Sequence, residues 1–477
     1  MRKLSIFVSV IFIASSLTVV QANAAVPKKG GTCSKIGSYG DTPGSRYVCV
    51  KSGKKKVWAV WNRPSSNNQG ETKNQVSSQT SETKSSSSTQ IFGSSCTTDG
   101  EMKVVDGKRY VCEGTNRGSN FKWDKGTPTS FKAPMPITLP VAQTGSITFA
   151  NALNHISEIP TTSWQRIQDT IDASPDVDVP HQLLVGPNTT TVTKTLEEKI
   201  LSREFKLWNG FQQTKNLTVI AYSFADMNWA ATTFDKVYKE RKYPAMQDPN
   251  LGMNRAKQSC DIPSQNCDAG NAGQVEGTDE AIEFLGVTTS YPWDPTGNGE
   301  VGHEYTHTLT SAQFNGTAAV NTNQYQQNFT PCWLNEGFSN ASGIGVSAAN
   351  LQQYLSVRDY NVARHSALPS NFQGFSAAGL KDVLYSQVSN RNAPNSCYGG
   401  LGPIYKLGYS MGFAATEALF AIGGPHSVLA LFSRGAMGDT FSEAFKNVYG
   451  ISWDEGSTIL GQILAAEYAA KPMRTSD

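Results

Sequence analysis

From about Ser146 to the end of the chain, apolar side chains recur with two different periods. Leu183 to Val185 reads as a short strand, Leu217 to Tyr222 (LTVIAY) as a longer one, and Ile282 to Ser290 as a third apolar, β-branched run. Between them, Thr195 to Phe211 and Trp229 to Arg241 place apolar residues three and four apart, the spacing of one helix face. Beyond about residue 299 the patterns are almost entirely helical. That order predicts an α+β fold, with a mixed-sheet N-terminal half, a helical C-terminal half and a site in the cleft between them.

The front of the chain is patterned differently. Arg2 and Lys3 precede an apolar run from Leu4 to Val20, and Ala22-Asn23-Ala24 supplies a small-residue cleavage site. Residues 1–24 therefore read as an export signal, the alternative being an uncleaved anchor, and the expected location is secreted or cell-surface. No later stretch is long and apolar enough to span a membrane. Two segments then repeat each other. Cys33 is followed by Gly44-Ser45-Arg46-Tyr47-Val48-Cys49 and Trp58, and Cys96 by Gly107-Lys108-Arg109-Tyr110-Val111-Cys112 and Trp123, with 16 positions between the cysteines both times. Such a match points to a duplicated module. Each copy is too short to bury a sufficient core alone, so a disulfide must help hold it. The expected organisation is module one at 25–62, a polar linker at 63–92, module two at 93–125, a Pro/Thr-rich connector at 126–145 and a single folded region at 146–477.

Charge and cysteine usage sharpen this picture. The net charge of +2 conceals 17 Lys/Arg against 8 Asp/Glu in residues 25–126, and 22 against 31 in residues 127–477. A basic front suggests an anionic cell-envelope polymer as a partner of the modules, their other role being that of disulfide-stabilised spacer. All eight cysteines follow the cleavage site, as expected for disulfides in an oxidising compartment. The repeat argues for Cys33–Cys49 and Cys96–Cys112, and Cys260 and Cys267 are near enough for a local loop. Cys332 with Cys397 is a further candidate pair.

Chemistry concentrates in one segment. His303-Glu304-Tyr305-Thr306-His307 is an H-E-x-x-H sequence. On a helix its two imidazoles share a face and can reach one metal ion, while Glu304 projects about 100° further round, placed to take a proton from water. A catalytic zinc needs a third protein ligand and one open position. Twenty-nine residues after His307 stands Trp333-Leu334-Asn335-Glu336-Gly337-Phe338-Ser339, from which Glu336 can supply that ligand.

W-L-N-E-G-F-S resembles the glutamate-ligand segment of gluzincin metallopeptidases, notably the aminopeptidases. The longer gap and H-E-Y-T-H are more similar to the catalytic domains of bacterial collagenases. The resemblance covers roughly residues 280–460 and implies a zincin (thermolysin-like) fold, a zinc ion on His303, His307 and Glu336, Glu304 as general base, and hydrolysis of a peptide or protein substrate. Ile404-Tyr405-Lys406-Leu407-Gly408 is similar to the aminopeptidase segment that carries a transition-state tyrosine, which implies that Tyr405 stabilises the oxyanion. Tyr405 also fits a core aromatic position, and Tyr409 and His426 compete for the same role. The chain lacks the G-A-M-E-N segment with which aminopeptidases hold a free amino end, so exopeptidase action is not implied. Where thermolysin-like relatives place a carboxylate behind a ligand histidine, this chain has Asn340.

The other histidines, His155, His181 and His365, have no partner at metal-binding spacing and read as surface or satisfied core residues. The Asp294 to Glu300 loop reads as a plain turn rather than a calcium loop. An extended substrate could add to the sheet edge, for which the Ile282–Ser290 run is the candidate strand. The rival reading is a surface-binding protein with an inactive peptidase-like domain, against which an intact Glu304 counts.

Overall fold

The two Cys-bounded repeats adopt one strand register. In the first, β1 (Tyr39–Thr42), β2 (Ser45–Ser52) and β3 (Lys55–Val60) form an antiparallel meander in which Tyr39 opposes Val48 and Cys49 opposes Trp58. In the second, β4 (Met102–Val105), β5 (Lys108–Asn116) and β6 (Ser119–Trp123) repeat it, Met102 opposing Val111 and Cys112 opposing Trp123. Single bridges, Thr32 to Val57 and Ser95 to Lys122, take the same place in each copy. A disulfide joins Cys96 to Cys112.

This computed structural model describes residues 28, 31–32, 39–42, 45–52, 54–60, 91–97, 101–116, 119–189, 194–244, 248–288, 299–317, 326, 329–363, 375–389 and 403–470. The export signal, most of the polar linker, residues 294–298, His365 and the Cys33–Cys49 and Cys332–Cys397 pairings lie outside the described residues. Chain contacts divide the protein into two compact units, Met1–Ser86 and Ser87–Asp477.

The second repeat belongs to the larger unit. Beside it, β7 (Thr127–Pro128) pairs with β5. Val111 is buried in the main core, and Phe131, Met135, Ile137, Leu139 and Val141 of the Pro/Thr-rich stretch pack on that core too. The second repeat and the stretch after it thus contribute apolar surface to the body of the unit.

That body is α+β. Helix α1 (Ile159–Ala173) carries Pro160 in its first turn, where a missing N–H costs nothing, and buries Ile159, Ser163, Ile167 and Ile171, four apart along one face. Then come β8 (His181–Val185), α2 (Lys194–Leu207), β9 (Asn216–Tyr222), α3 (Met227–Glu240) and α4 (Leu251–Gln258). A small hairpin follows, β10 (Cys260–Asp261) and β11 (Asn266–Cys267), closed by the Cys260–Cys267 disulfide. It leads into β12 (Gly270–Gln274) and β13 (Glu280–Gly286).

The four longer strands form a mixed sheet in the order β12-β13-β9-β8, with β8, β9 and β13 parallel and β12 antiparallel to β13. The LTVIAY run is largely apolar because both sides of β9 are covered, with its one hydroxyl-bearing aliphatic residue, Thr218, accepting from Gln182 at 2.9 Å. Leu217, Val219 and Ala221 join the main core, whereas Ile220 and Tyr222 face a second core with Phe234 of α3 and Ala256 of α4. Of the run expected over Ile282–Ser290, Ile282 to Gly286 lies in β13, which is internal; the edges of the sheet are β12 and β8.

The rest of the described chain is helical: α5 (Gly299–Ala312), α6 (Cys332–Ser347), α7 (Leu351–Val362), α8 (Ala377–Ser389), α9 (Pro403–Gly423), α10 (Pro425–Ala436), α11 (Phe441–Tyr449) and α12 (Trp453–Ala470). The sharp ends are encoded locally. At α11, Thr440 and Glu443 form a reciprocal capping box, and Gly450 closes the helix in the left-handed conformation at φ 79°. Helix α6 is buried on nearly every side, which suits its Gly, Ala and Ser content and places it at the centre of the bundle. Among the described residues no single helix is long and apolar enough to cross a membrane.

Candidate metal centre

Helices α5 and α6 approach so closely that glycine is required where they cross. A Cβ on Gly343 would lie 2.6 Å from the backbone nitrogen of His303, and one on Gly302 would lie 2.8 Å from Gly343 Cα. On its other side α6 meets α9 through Gly337 and Gly412, where a Cβ on Gly412 would collide with the carbonyl oxygen of Trp333. These crossings bring side chains from separate helices to one point.

At that point stand His303 and His307 of α5 and Glu336 of α6. His307 Nε2 lies 3.1 Å from His303 Nε2, and Glu336 Oε2 lies 3.7 Å and 3.5 Å from the two imidazole nitrogens. The three ligand atoms fall within 4.8 Å of one another, an arrangement that can hold a metal ion.

The outer partners fix which nitrogens face inward. His303 Nδ1 is 2.9 Å from Asn340 Oδ1, an atom that can only accept, so the ring donates there. The Ser339 hydroxyl donates to Asn335 O at 2.9 Å, leaving its oxygen to accept from His307 Nδ1 at 3.3 Å. In that assignment both Nε2 atoms present lone pairs to the site. Burial, and then the neighbouring His307, pushes His303 down to about 4. For Glu336, burial acts upward, but the two histidines and a hydrogen bond from Tyr409 outweigh it and hold the carboxyl at about 2. Asn335 Nδ2 adds a hydrogen bond to Glu336 Oε1 at 3.0 Å. With both imidazoles neutral in that tautomer, the form that binds a cation, the three inward atoms are all acceptors.

Glu304 lies beneath the edge strand. A Cβ on Gly270 of β12 would sit 2.5 Å from Glu304 Cγ and Oε1, so the strand passes directly over this side chain. Glu304 Oε2 is buried without a hydrogen-bond partner. Burial, followed by the charges of Glu300, Glu283 and Glu336, raises its carboxyl well above the ordinary range. Behind it runs a row of buried acids that sequence reasoning missed. Glu283 projects from β13 with neither oxygen hydrogen-bonded. Glu204 of α2 accepts from Trp208 Nε1 at 2.7 Å and from Ser342 Oγ, and contacts the Gly302 crossing. The sequence signal for these acids is weak, since a glutamate on a short helix or strand reads as a solvated position.

Of the three competing residues, the structure places Tyr409 and His426. The side chain of Tyr405 lies outside the described residues, although its backbone belongs to α9. One turn later, Tyr409 stacks over His303 with ring centroids 6.2 Å apart and planes 10° from parallel. His426 bonds to Leu207 O at 2.6 Å and packs on Trp208 and Phe211, away from the cluster. His155 pairs with Glu158 and His181 with Val179 O, and neither belongs to a group of three or more metal-binding side chains among the described residues.

No protein-family model matches the sequence, and no curated protein or solved structure matches it either. The centre is therefore interpreted on its own chemistry.

Proposed function

We propose that the protein is a zinc-dependent peptidase of the gluzincin type, acting outside the cytoplasm. One observation carries the reading: two imidazole Nε2 atoms and a carboxylate oxygen converge within 4.8 Å of one another. With both imidazoles neutral, three such acceptors are held together best by a cation that all of them bind. Two ligands on a tetrahedral zinc stand about 3.3 Å apart, given bond lengths of about 2.0–2.1 Å. The separations of 3.1, 3.5 and 3.7 Å fit that spacing. The nitrogen donors and their hydrogen-bonded outer partners also suit zinc. The zincin fold belongs to the same proposal, supported by the mixed sheet with an antiparallel edge strand beside the H-E-x-x-H helix. The Cys96–Cys112 and Cys260–Cys267 disulfides favour an extracytoplasmic setting.

When bound, zinc would activate water and polarise the scissile carbonyl. His303, His307 and Glu336 hold the ion, with Asn340, Ser339 and Asn335 orienting them. Glu304 takes the proton of the attacking water on its unpartnered Oε2 and passes it to the leaving amine. The outer edge of β12 holds an extended peptide through backbone hydrogen bonds, above Glu304. Tyr409, touching both His303 and Glu336, is the described tyrosine best placed to act beside Tyr405 on the developing oxyanion.

The test compares full-length protein with Glu336→Ala and Glu304→Gln for zinc content and for hydrolysis of an unbiased peptide library. Wild type should carry about one zinc per chain and cleave peptides. Glu336→Ala should lose both, whereas Glu304→Gln should keep the metal and lose about 10²–10⁴-fold in rate. A wild-type chain that binds no zinc when supplied with it defeats the proposal.

A further inference from the structure

The duplicated repeats offer an internal control on what their common framework needs. Every strand pairing of the first copy recurs in the second, yet their charges differ. Residues 25–62 hold eight Lys/Arg against one Asp, a net of +7, while residues 93–125 hold six against five, a net of +1. The excess concentrates at the hairpin between β2 and β3, where Lys51, Lys54, Lys55 and Lys56 occur within six residues. Lys54, Lys55 and Lys56 are exposed. The register sets Lys51 directly opposite Lys56, and like charges in that position destabilise a hairpin. In the second copy the corresponding pair is Gly114 opposite Phe121, preceded by the complementary pair Glu113 and Lys122. The shared strand framework therefore does not call for the lysines.

The two copies are also placed differently. The second is built into the larger unit, where Val111 joins the main core and Arg109 packs against Gly438. The first belongs to the separate compact unit, residues 1–86.

We infer that the β2–β3 hairpin of the first repeat is a docking surface for a linear phosphate-bearing polymer, and that the second repeat has no share in this binding. Ammonium groups are compact point charges that engage phosphates from any direction. Planar carboxylates are matched best by the forked guanidinium of arginine, which this hairpin lacks between residues 51 and 56. Several adjacent lysines bind a polyanion by releasing its condensed counterions, so affinity falls steeply with salt. Docking of this kind would tether the larger unit to a charged surface without occupying its metal centre.

The test measures binding of the full-length protein to linear inorganic polyphosphate across a range of salt concentrations. Lys54→Glu/Lys55→Glu/Lys56→Glu is compared with Lys108→Glu/Lys122→Glu/Lys125→Glu, which makes the same charge change on exposed lysines of the second repeat. The first triple should weaken binding at least about tenfold and reduce the log–log salt slope by about 2. The second should change affinity by less than about threefold. Zinc content should stay at the wild-type level in both, so failure of this inference is separable from failure of the peptidase reading. If the charge reversal impairs folding, Lys54→Gln/Lys55→Gln/Lys56→Gln replaces it, since the second copy folds with a largely neutral turn. Equal losses in both triples, or none in the first, would overturn the inference. So would equally tight binding of poly-glutamate, or single-stranded DNA of matched charge bound more than about tenfold tighter, because bases rather than phosphates would then be read.

Discussion

Glu204 shows how one buried carboxyl can couple the fold to pH. It sits on α2 against the α5–α6 crossing, and burial pushes it from 4.5 up to about 8 despite hydrogen bonds from Trp208 and Ser342. Between those two values the unfolded chain has released this proton and the folded chain retains it. The folded state binds more protons across the window, so the stability this group contributes is complete below about 4.5 and lost as pH rises through about 8. Glu204→Gln keeps an oxygen for the two donors and removes the titration. Its melting temperature should fall less than that of wild type over this window, with the two curves converging at the acid end. Calorimetry at several pH values decides this, and parallel curves would mean that Glu204 does not titrate there. A different residue, Arg358, is buried between Glu417 at 2.8 Å and Glu467 at 3.0 Å. Arg358→Met would leave both carboxylates without that partner and should cost about 3–5 kcal/mol, read from urea denaturation.

Between elements, the decisive contacts involve side chains that are absent. Helix α6 can present Glu336 to the histidines of α5 only because glycines on both sides let it approach two neighbours at backbone distance. Gly412→Ala puts a methyl group against the Trp333 carbonyl, a backbone atom that cannot swing aside. It should cost at least about 1–3 kcal/mol in the denaturant midpoint and weaken zinc retention by moving Glu336. An unaltered midpoint would show that α9 shifts freely. This is also where the sequence reads well and where it stops. The spacing of His303 and His307 on one helix face is a local property, so it is legible. So are the LTVIAY strand, helices α2 and α3, the helical character after residue 299 and the Cys-to-Trp framework of the repeats. Local pattern does not reveal which glycines are crossing points, because glycine in a helix looks like a weak helix former. It also hides β12, whose Gly-Asn-Ala-Gly-Gln composition has little strand propensity, so β13 was the expected edge. The row of Glu204, Glu283, Glu300 and Glu304 assembles from α2, β13 and α5, and no single segment announces it.

Across the whole molecule, the candidate centre brings α5 and α6 together at three potential ligand atoms that one cation would bind at once. A metal that binds the folded unit and not the unfolded chain stabilises it by mass action, by about 4 kcal/mol at a thousandfold excess over Kd. Chelation should therefore lower the melting temperature of the unit spanning residues 87–477, and zinc should restore it. Hydrogen exchange should quicken most in α5 and α6, which the ion would clamp together, and less in α3 and α4, which pack on the opposite face of the sheet. The first repeat lies in the other unit and holds no described ligand, so a transition arising from residues 1–86 should not respond. Glu336→Ala separates this effect from a general response to chelator. With Glu336 gone, the three-ligand site is lost. Its melting temperature should then be nearly the same with and without chelator. A wild-type chain whose melting ignores both chelator and zinc would show that the three groups converge for a reason other than holding a metal.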